Sequence, residues 1–145
     1  MAPDHASVAL DLDGVRVGGS AQTTASLGAT AKISKALRVG FDCVFYGRNY
    51  SDWAIESSDL TYKINKTFVY DSPWRIPSAY VCDLNASYRF KIGGVNAILS
   101  GVVNNLFDQE YISDATDGSN HDWQTAYGIF YGFGRTYNLK LKLNF

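Results

Sequence analysis

The stretch GFGRTYNLKLKLNF, residues 132–145, decides how the rest of the chain is read. Drawn as a strand, it puts Phe133, Tyr137, Leu139, Leu141, Leu143 and Phe145 on one side. Gly134, Thr136, Asn138, Lys140, Lys142 and Asn144 fall on the other. Successive strand side chains point to opposite faces, so the segment has one greasy face and one wet face. A soluble sheet reads this way too. The same pattern recurs along the chain in strands of membrane-spanning length, however, and the apolar faces end in aromatics. The reading is therefore all-β: an antiparallel up-and-down meander of about five to six strands, forming part of a transmembrane β-barrel.

Working back from that strand, SAYVCDLNASYRFK (residues 78–91) is the cleanest internal case. Tyr80, Cys82, Leu84, Ala86, Tyr88 and Phe90 alternate with Val81, Asp83, Asn85, Ser87, Arg89 and Lys91. Gly93-Gly94 predicts a tight hairpin turn into a strand over 95–107. That strand places Val95, Ala97, Leu99, Gly101 and Val103 outward, with Ile98 and Val102 blurring its inner face. Upstream, 21–34 and 37–50 alternate in the same way, with a short link near Lys35. Segment 6–12 alternates only weakly.

The links alternate long, short, long, short, long, as outer-membrane barrels do with long outer loops and short periplasmic turns. Loops 13–20, 51–77 and 108–128 come out extracellular, and the turns near 34–36 and 92–94 periplasmic. Tyr46, Tyr50, Trp53, Trp74 and Tyr80 then gather at the outer interface as an aromatic girdle.

Composition narrows the function classes. With 13 basic and 14 acidic residues the net charge is −1, which makes no electrostatic case for nucleic acid. Ten Tyr, eight Phe and 13 Gly suit a barrel wall, although a β-sandwich shares the bias. The sequence has no apolar run long enough for a membrane-spanning helix. MAPDHASVAL at the start lacks the basic and apolar regions of a secretory signal. Cys43 and Cys82 fit no metal spacing and both fall on apolar faces; whether they pair is open at this level.

At NNLFDQEYISDA, residues 104–115, and YGFGRTYNLKLKLNF, residues 131–145, the chain resembles TonB-dependent outer-membrane receptors. The matching positions are Asn105, Leu106, Phe107, Asp108 and Tyr111, then Gly134, Arg135 and Phe145. WRIPSAYVCDLNASYRFKI, residues 74–92, is similar to the preceding strand of the family, with Pro77 and the run Asp83-Leu84-Asn85 in place. The resemblance implies a plugged barrel of about 22 strands. Residues 1–145 would then be its C-terminal segment, without plug domain or signal peptide, in the outer membrane of a Gram-negative bacterium. It implies active uptake of a scarce nutrient such as a ferric siderophore. Its partners would be outer-membrane lipid, the rest of the barrel and plug, TonB through an N-terminal part, and the barrel-assembly machinery. Phe145, Leu143, Leu141 and Tyr137 would form the signal read by that machinery. The alternative is a small soluble β-barrel or sandwich that turns the apolar faces inward onto an apolar ligand.

Site chemistry is sparse. DATDGSNHDW, residues 114–123, offers Asp114, Asp117, His121 and Asp122, but its spacing is not that of an EF-hand. Exposed turns use these residue types in any case. Trp123, Tyr127 and His121 are the candidates for ligand contact at the barrel mouth. Arg38, Asp42, Arg48, Asp83, Arg89 and Lys91 fall on predicted inner faces, where a polar lumen needs them. No G-x-S-x-G, HExxH or phosphate loop occurs, so neither catalysis nor a cofactor is expected.

Overall fold

The computed structural model describes residues 9–54, 67–69 and 71–144. Its centre is a five-stranded antiparallel sheet built from β2 (Thr23–Lys32), β3 (Leu37–Gly47), β7 (Ala79–Ile92), β8 (Val95–Asn104) and β11 (Thr136–Asn144). Neighbours in the sheet are neighbours in this series, which makes it a meander. The smaller strands are β1 (Ala9–Asp11) parallel to β5 (Thr67–Val69), β4 (Asn49–Tyr50) with β6 (Arg75–Ile76), and β9 (Ile112–Gly118) with β10 (Ala126–Tyr131).

The registers test the alternation directly. Ala29 pairs with Phe41, Phe41 with Leu84, Leu84 with Val103, and Val103 with Tyr137. One row along, Ala31, Val39, Ala86, Gly101 and Leu139 line up likewise. The opposite face carries rows such as Lys32, Arg38, Ser87, Ser100 and Lys140. A one-residue slip in any pair would send half of an apolar row to the wet side. All four ladders keep the faces in phase.

The two short links are built for their positions. Gly93 and Gly94 have φ of 54° and 89°, the left-handed pair that a two-residue hairpin turn matched to strand twist requires. At the other, Ser34 Oγ accepts from the amides of Ala36 and Leu37, and Ser34 N donates to the Leu37 carbonyl. The side chain thus takes up backbone donors that the turn leaves free.

Several boundaries differ from expectation. The last strand begins at Thr136 rather than at residue 132, and Phe133 is exposed outside it. The expected loop 108–128 contains β9 and the start of β10. Arg48 leaves the strand at φ 51°, and its Nε donates to Thr23 Oγ1 at 2.6 Å, on the row of the apolar face rather than the inner one. The weak segment 6–12 contributes β1, which pairs with β5 and stays outside the main sheet. Phe145 lies outside the described residues.

The sheet is a single layer. Among the described residues, the buried apolar side chains are Ile76, Ala79, Cys82, Ala97 and Ala115, mostly small and scattered. Leu27 and Leu139 keep about three-quarters of their surface (73% and 76%), and Leu141 and Tyr88 about half (54% and 47%). Ordinary domains bury a sheet's hydrophobic face against a second layer. Here, among the described residues, nothing covers the five-strand apolar face. Cys43 and Cys82, direct partners on that face, are joined as a disulfide linking β3 to β7.

Candidate functional site

The end of the sheet that carries the long connections is where chemistry-bearing residues converge. Tyr46 pairs with Ala79, Tyr50 with Arg75, and Ser51 N donates to the Trp74 carbonyl at 2.9 Å. The β3–β7 ladder therefore continues past its kinks into β4 and β6. Strand β9 then runs beside Asp52: Asp52 N donates to the Ala115 carbonyl and Asp117 N to the Asp52 carbonyl, both 2.7 Å.

Asp117 ties this end together. Its side chain is fully buried, and buried carboxylates persist only when hydrogen-bonded. Oδ1 accepts from Trp74 N at 3.1 Å and lies 3.3 Å from Ser51 Oγ; Oδ2 lies 2.5 Å from His121 Nδ1. The order is Ser–Asp–His. In nucleophilic catalysis the imidazole must stand between the hydroxyl and the carboxylate. Here the carboxylate stands between, so the cluster holds three chain segments together and lacks the order of a nucleophilic triad.

The remaining loop carboxylates also serve the backbone. Asp114 Oδ1 accepts from Ala115 N, and Asp122 Oδ1 from Thr125 N and Thr125 Oγ1 at 2.9 and 2.8 Å. The Thr125 hydroxyl and amide together hold the Asp122 carboxyl below its ordinary value. Of the three sequence-derived contact candidates, His121 joins the Asp117 knot. Trp123 and Tyr127 lie on the β9–β10 hairpin and keep 63% and 52% of their surface exposed.

The motif residues form a second cluster, a clasp between the end of β8 and the approach to β11. Asn105 is buried with φ 50°, a conformation Asn tolerates better than most residues. Its Nδ2 donates to the carbonyls of Gln109 and Phe133 at 2.9 and 3.0 Å, and its Oδ1 accepts from Gln109 N at 2.9 Å. Asp108 Oδ1 accepts from Arg135 N at 2.8 Å, and Oδ2 lies 3.5 Å from the Arg135 guanidinium. Gly132 N donates to the Tyr111 carbonyl, and the Tyr111 ring lies where a Cβ on Gly132 would have to go. Sequence reasoning quoted Gly134 at this element and missed Gly132, whose need for a bare backbone shows only in three dimensions.

Between the clasp and the sheet lies a pocket of about 420 Å³ that sequence reasoning missed. Thr24, Tyr46 and Ala79, all in one row of the polar face, form its floor, with Asn49, Tyr111 and Ser113 around them. Burial pushes the Tyr111 phenol up, and Tyr46 and Asp83 add to the effect. Trp123, Tyr127 and His121 are not among its lining residues.

On the polar face, Asp42 and Asp83 stand directly opposite each other, a pairing that costs stability unless each carboxylate is engaged. Asn85 Nδ2 donates to Asp42 at 3.4 Å, and Asn105 N to Asp83 at 2.8 Å. Arg38 shares this face, and Arg89 and Lys91 stand opposite Ile98 and Asn96 toward the short-turn end. Compared with protein-family models, curated proteins and solved structures, the chain finds no match.

Proposed function

We propose that this chain forms the C-terminal wall of a TonB-dependent outer-membrane receptor, a barrel that takes up a scarce nutrient such as a ferric siderophore. The observation that carries the reading is the five-stranded meander whose apolar rows run in register and, among the described residues, stay largely exposed. Lipid covers such a face without a second protein layer. The outer edges of β2 and β11, unpaired among the described residues, fit the same reading, since backbone groups in lipid must be paired and a barrel closes its edges onto further strands. The clasp adds support, because the motif residues meet in space and have a physical reason to occur together.

In this function the polar face lines the lumen beside the plug, and the β9–β10 end forms part of the outer mouth. Energy delivered through TonB would displace the plug; the wall supplies the rigid frame and part of the ligand's path. Leu143, Leu141 and Tyr137, exposed on the apolar face of β11, would be presented with Phe145 to the barrel-assembly machinery. Immunoblotting fractionated source cells with an antibody against residues 114–128 tests the assignment. The expected result is a band in the outer membrane. A band confined to the soluble fraction overturns it.

A further inference from the structure

The Cys43–Cys82 disulfide bears on how the wall is assembled, on the premise that the sheet is a receptor wall with its apolar face in lipid. We propose that this bond is a register pin, closed in water by exchange with a soluble disulfide-bearing oxidant before the wall enters the membrane. Each ladder of the sheet needs its register fixed, because a one-residue slip exchanges the faces. Strands β2 and β3 are joined by the short turn at Ser34, and β7 and β8 by Gly93-Gly94. The clasp at Asn105, Asp108 and Arg135 holds the end of β8 to the approach to β11. Between β3 and β7 the chain travels from Gly47 to Ala79, too far for a turn to set the register. There the disulfide joins direct partners and fixes the run of pairs from Leu37 with Tyr88 to Tyr46 with Ala79.

The surroundings of the bond set when it forms. Its neighbours on the same face are Phe41 and Phe45 along β3, Tyr80 and Leu84 along β7, and Leu27 opposite Cys43 on β2. None is charged, and Cys82 keeps only 3% of its surface. Cys43 lies inside the strand, roughly 13 Å from its end at Gly47. Disulfide exchange needs a thiolate and room for a third sulfur to approach. An unpaired anion among these side chains is costly, and lipid admits no soluble oxidant. The bond therefore closes while both thiols are still in water. One cysteine gives its proton to water, attacks the oxidant's disulfide and expels one oxidant sulfur as a thiolate. The other, deprotonated in turn, attacks the first cysteine's sulfur in that mixed disulfide and expels the second oxidant sulfur. The chain loses two electrons and two protons, and the oxidant takes them up as a dithiol.

The test follows the whole protein in its source cells after a heavy-isotope pulse. Free thiols are alkylated in acid-quenched samples, the membrane-integrated pool is separated by its resistance to a urea wash, and tryptic peptides are read by mass spectrometry. VGFDCVFYGR (residues 39–48) and IPSAYVCDLNASYR (residues 76–89) are the two halves of the linked pair. The linked pair is expected in labelled protein not yet integrated, and throughout the integrated pool. In isolated outer membranes, the water-borne reductant tris(2-carboxyethyl)phosphine is expected to break it at least about tenfold more slowly than after denaturation. Integrated protein with both cysteines alkylated, or equal rates of reduction, would overturn the inference. Variants then test the pin itself. Cys43→Ala with Cys82→Ala is expected to lower the integrated yield severalfold. Adding Phe41→Cys and Leu84→Cys puts a bond between direct partners in the next row of the same face and is expected to restore the yield. Cys82→Ala with Leu84→Cys alone, which links Cys43 out of register, is expected not to. An unchanged yield without cysteines, or equal rescue by both bonds, would also overturn the pin. Protein that never reaches the membrane fraction removes the receptor reading as well, whereas the other failures leave that reading standing.

Discussion

At the scale of single residues, the clasp and the Asp117 knot explain why particular side chains stand where they do. Asn105→Ala deletes three part-buried hydrogen bonds to the backbone of Gln109 and Phe133, so it is expected to cost about 1–3 kcal/mol in urea unfolding from micelles. Arg135→Ala removes a half-exposed ion pair at 3.5 Å and an exposed 3.4 Å hydrogen bond to the Leu106 carbonyl, and is expected to cost no more than about 1 kcal/mol by the same measurement. Asp122 gives a pH-dependent case. Its carboxyl is held low in the folded chain, so it favours the folded turn above the ordinary carboxylate value of 3.8, and that contribution fades as pH falls through the depressed value. Thr125→Val removes the largest cause, and the Asp122 titration midpoint followed by carbon NMR is expected to rise toward the ordinary value. None of this detail was legible in the sequence. DATDGSNHDW reads as a polar turn or a weak metal loop, and only the fold turns Asp117 inward onto Trp74, Ser51 and His121 while Asp122 stays with Thr125.

At the scale of elements, legibility was high where alternation was strict and failed where the chain changes direction. The faces of β2, β3, β7, β8 and β11 emerge as read, because period-two patterning is a property of the strand itself. Even β8, blurred by Ile98 and Val102, falls into phase once paired with β7 and β11. The start of the last strand was misplaced because Phe133 and Gly134 continue the alternation on paper. In space, Gly132 to Arg135 belong to the clasp. Strand β9 was hidden because ISDATDG carries the residue types of a loop, and its extended form is set by pairing with β10 and with Asp52. Leu141→Arg puts a charge on the apolar row at β11 and is expected to cost about 2–4 kcal/mol if that row lies near the bilayer midplane. On the proposed receptor reading, Lys140→Leu, on the polar face, is expected to leave the heat-modifiable gel mobility unchanged.

At the scale of the whole molecule, the Cys43–Cys82 disulfide joins two strands across a sequence separation of 39 residues and so closes one of the two long excursions between sheet neighbours, the other running from β8 to β11. Replacing both with Ala is expected to lower stability by about 2–4 kcal/mol and to abolish any mobility difference between reduced and non-reduced gels. The larger question is what covers the apolar face. In the receptor proposed above, that face meets lipid and the opposite one a wet lumen. The most direct test is to place spin labels one at a time at residues 139, 140, 141 and 142, in lipid vesicles, and measure relaxation by oxygen and by a water-soluble nickel reagent. The account predicts alternation, with 139 and 141 relaxed by oxygen from the bilayer and 140 and 142 by nickel from water. Labels at 139 and 141 shielded from both reagents, as inside a soluble core, would contradict it.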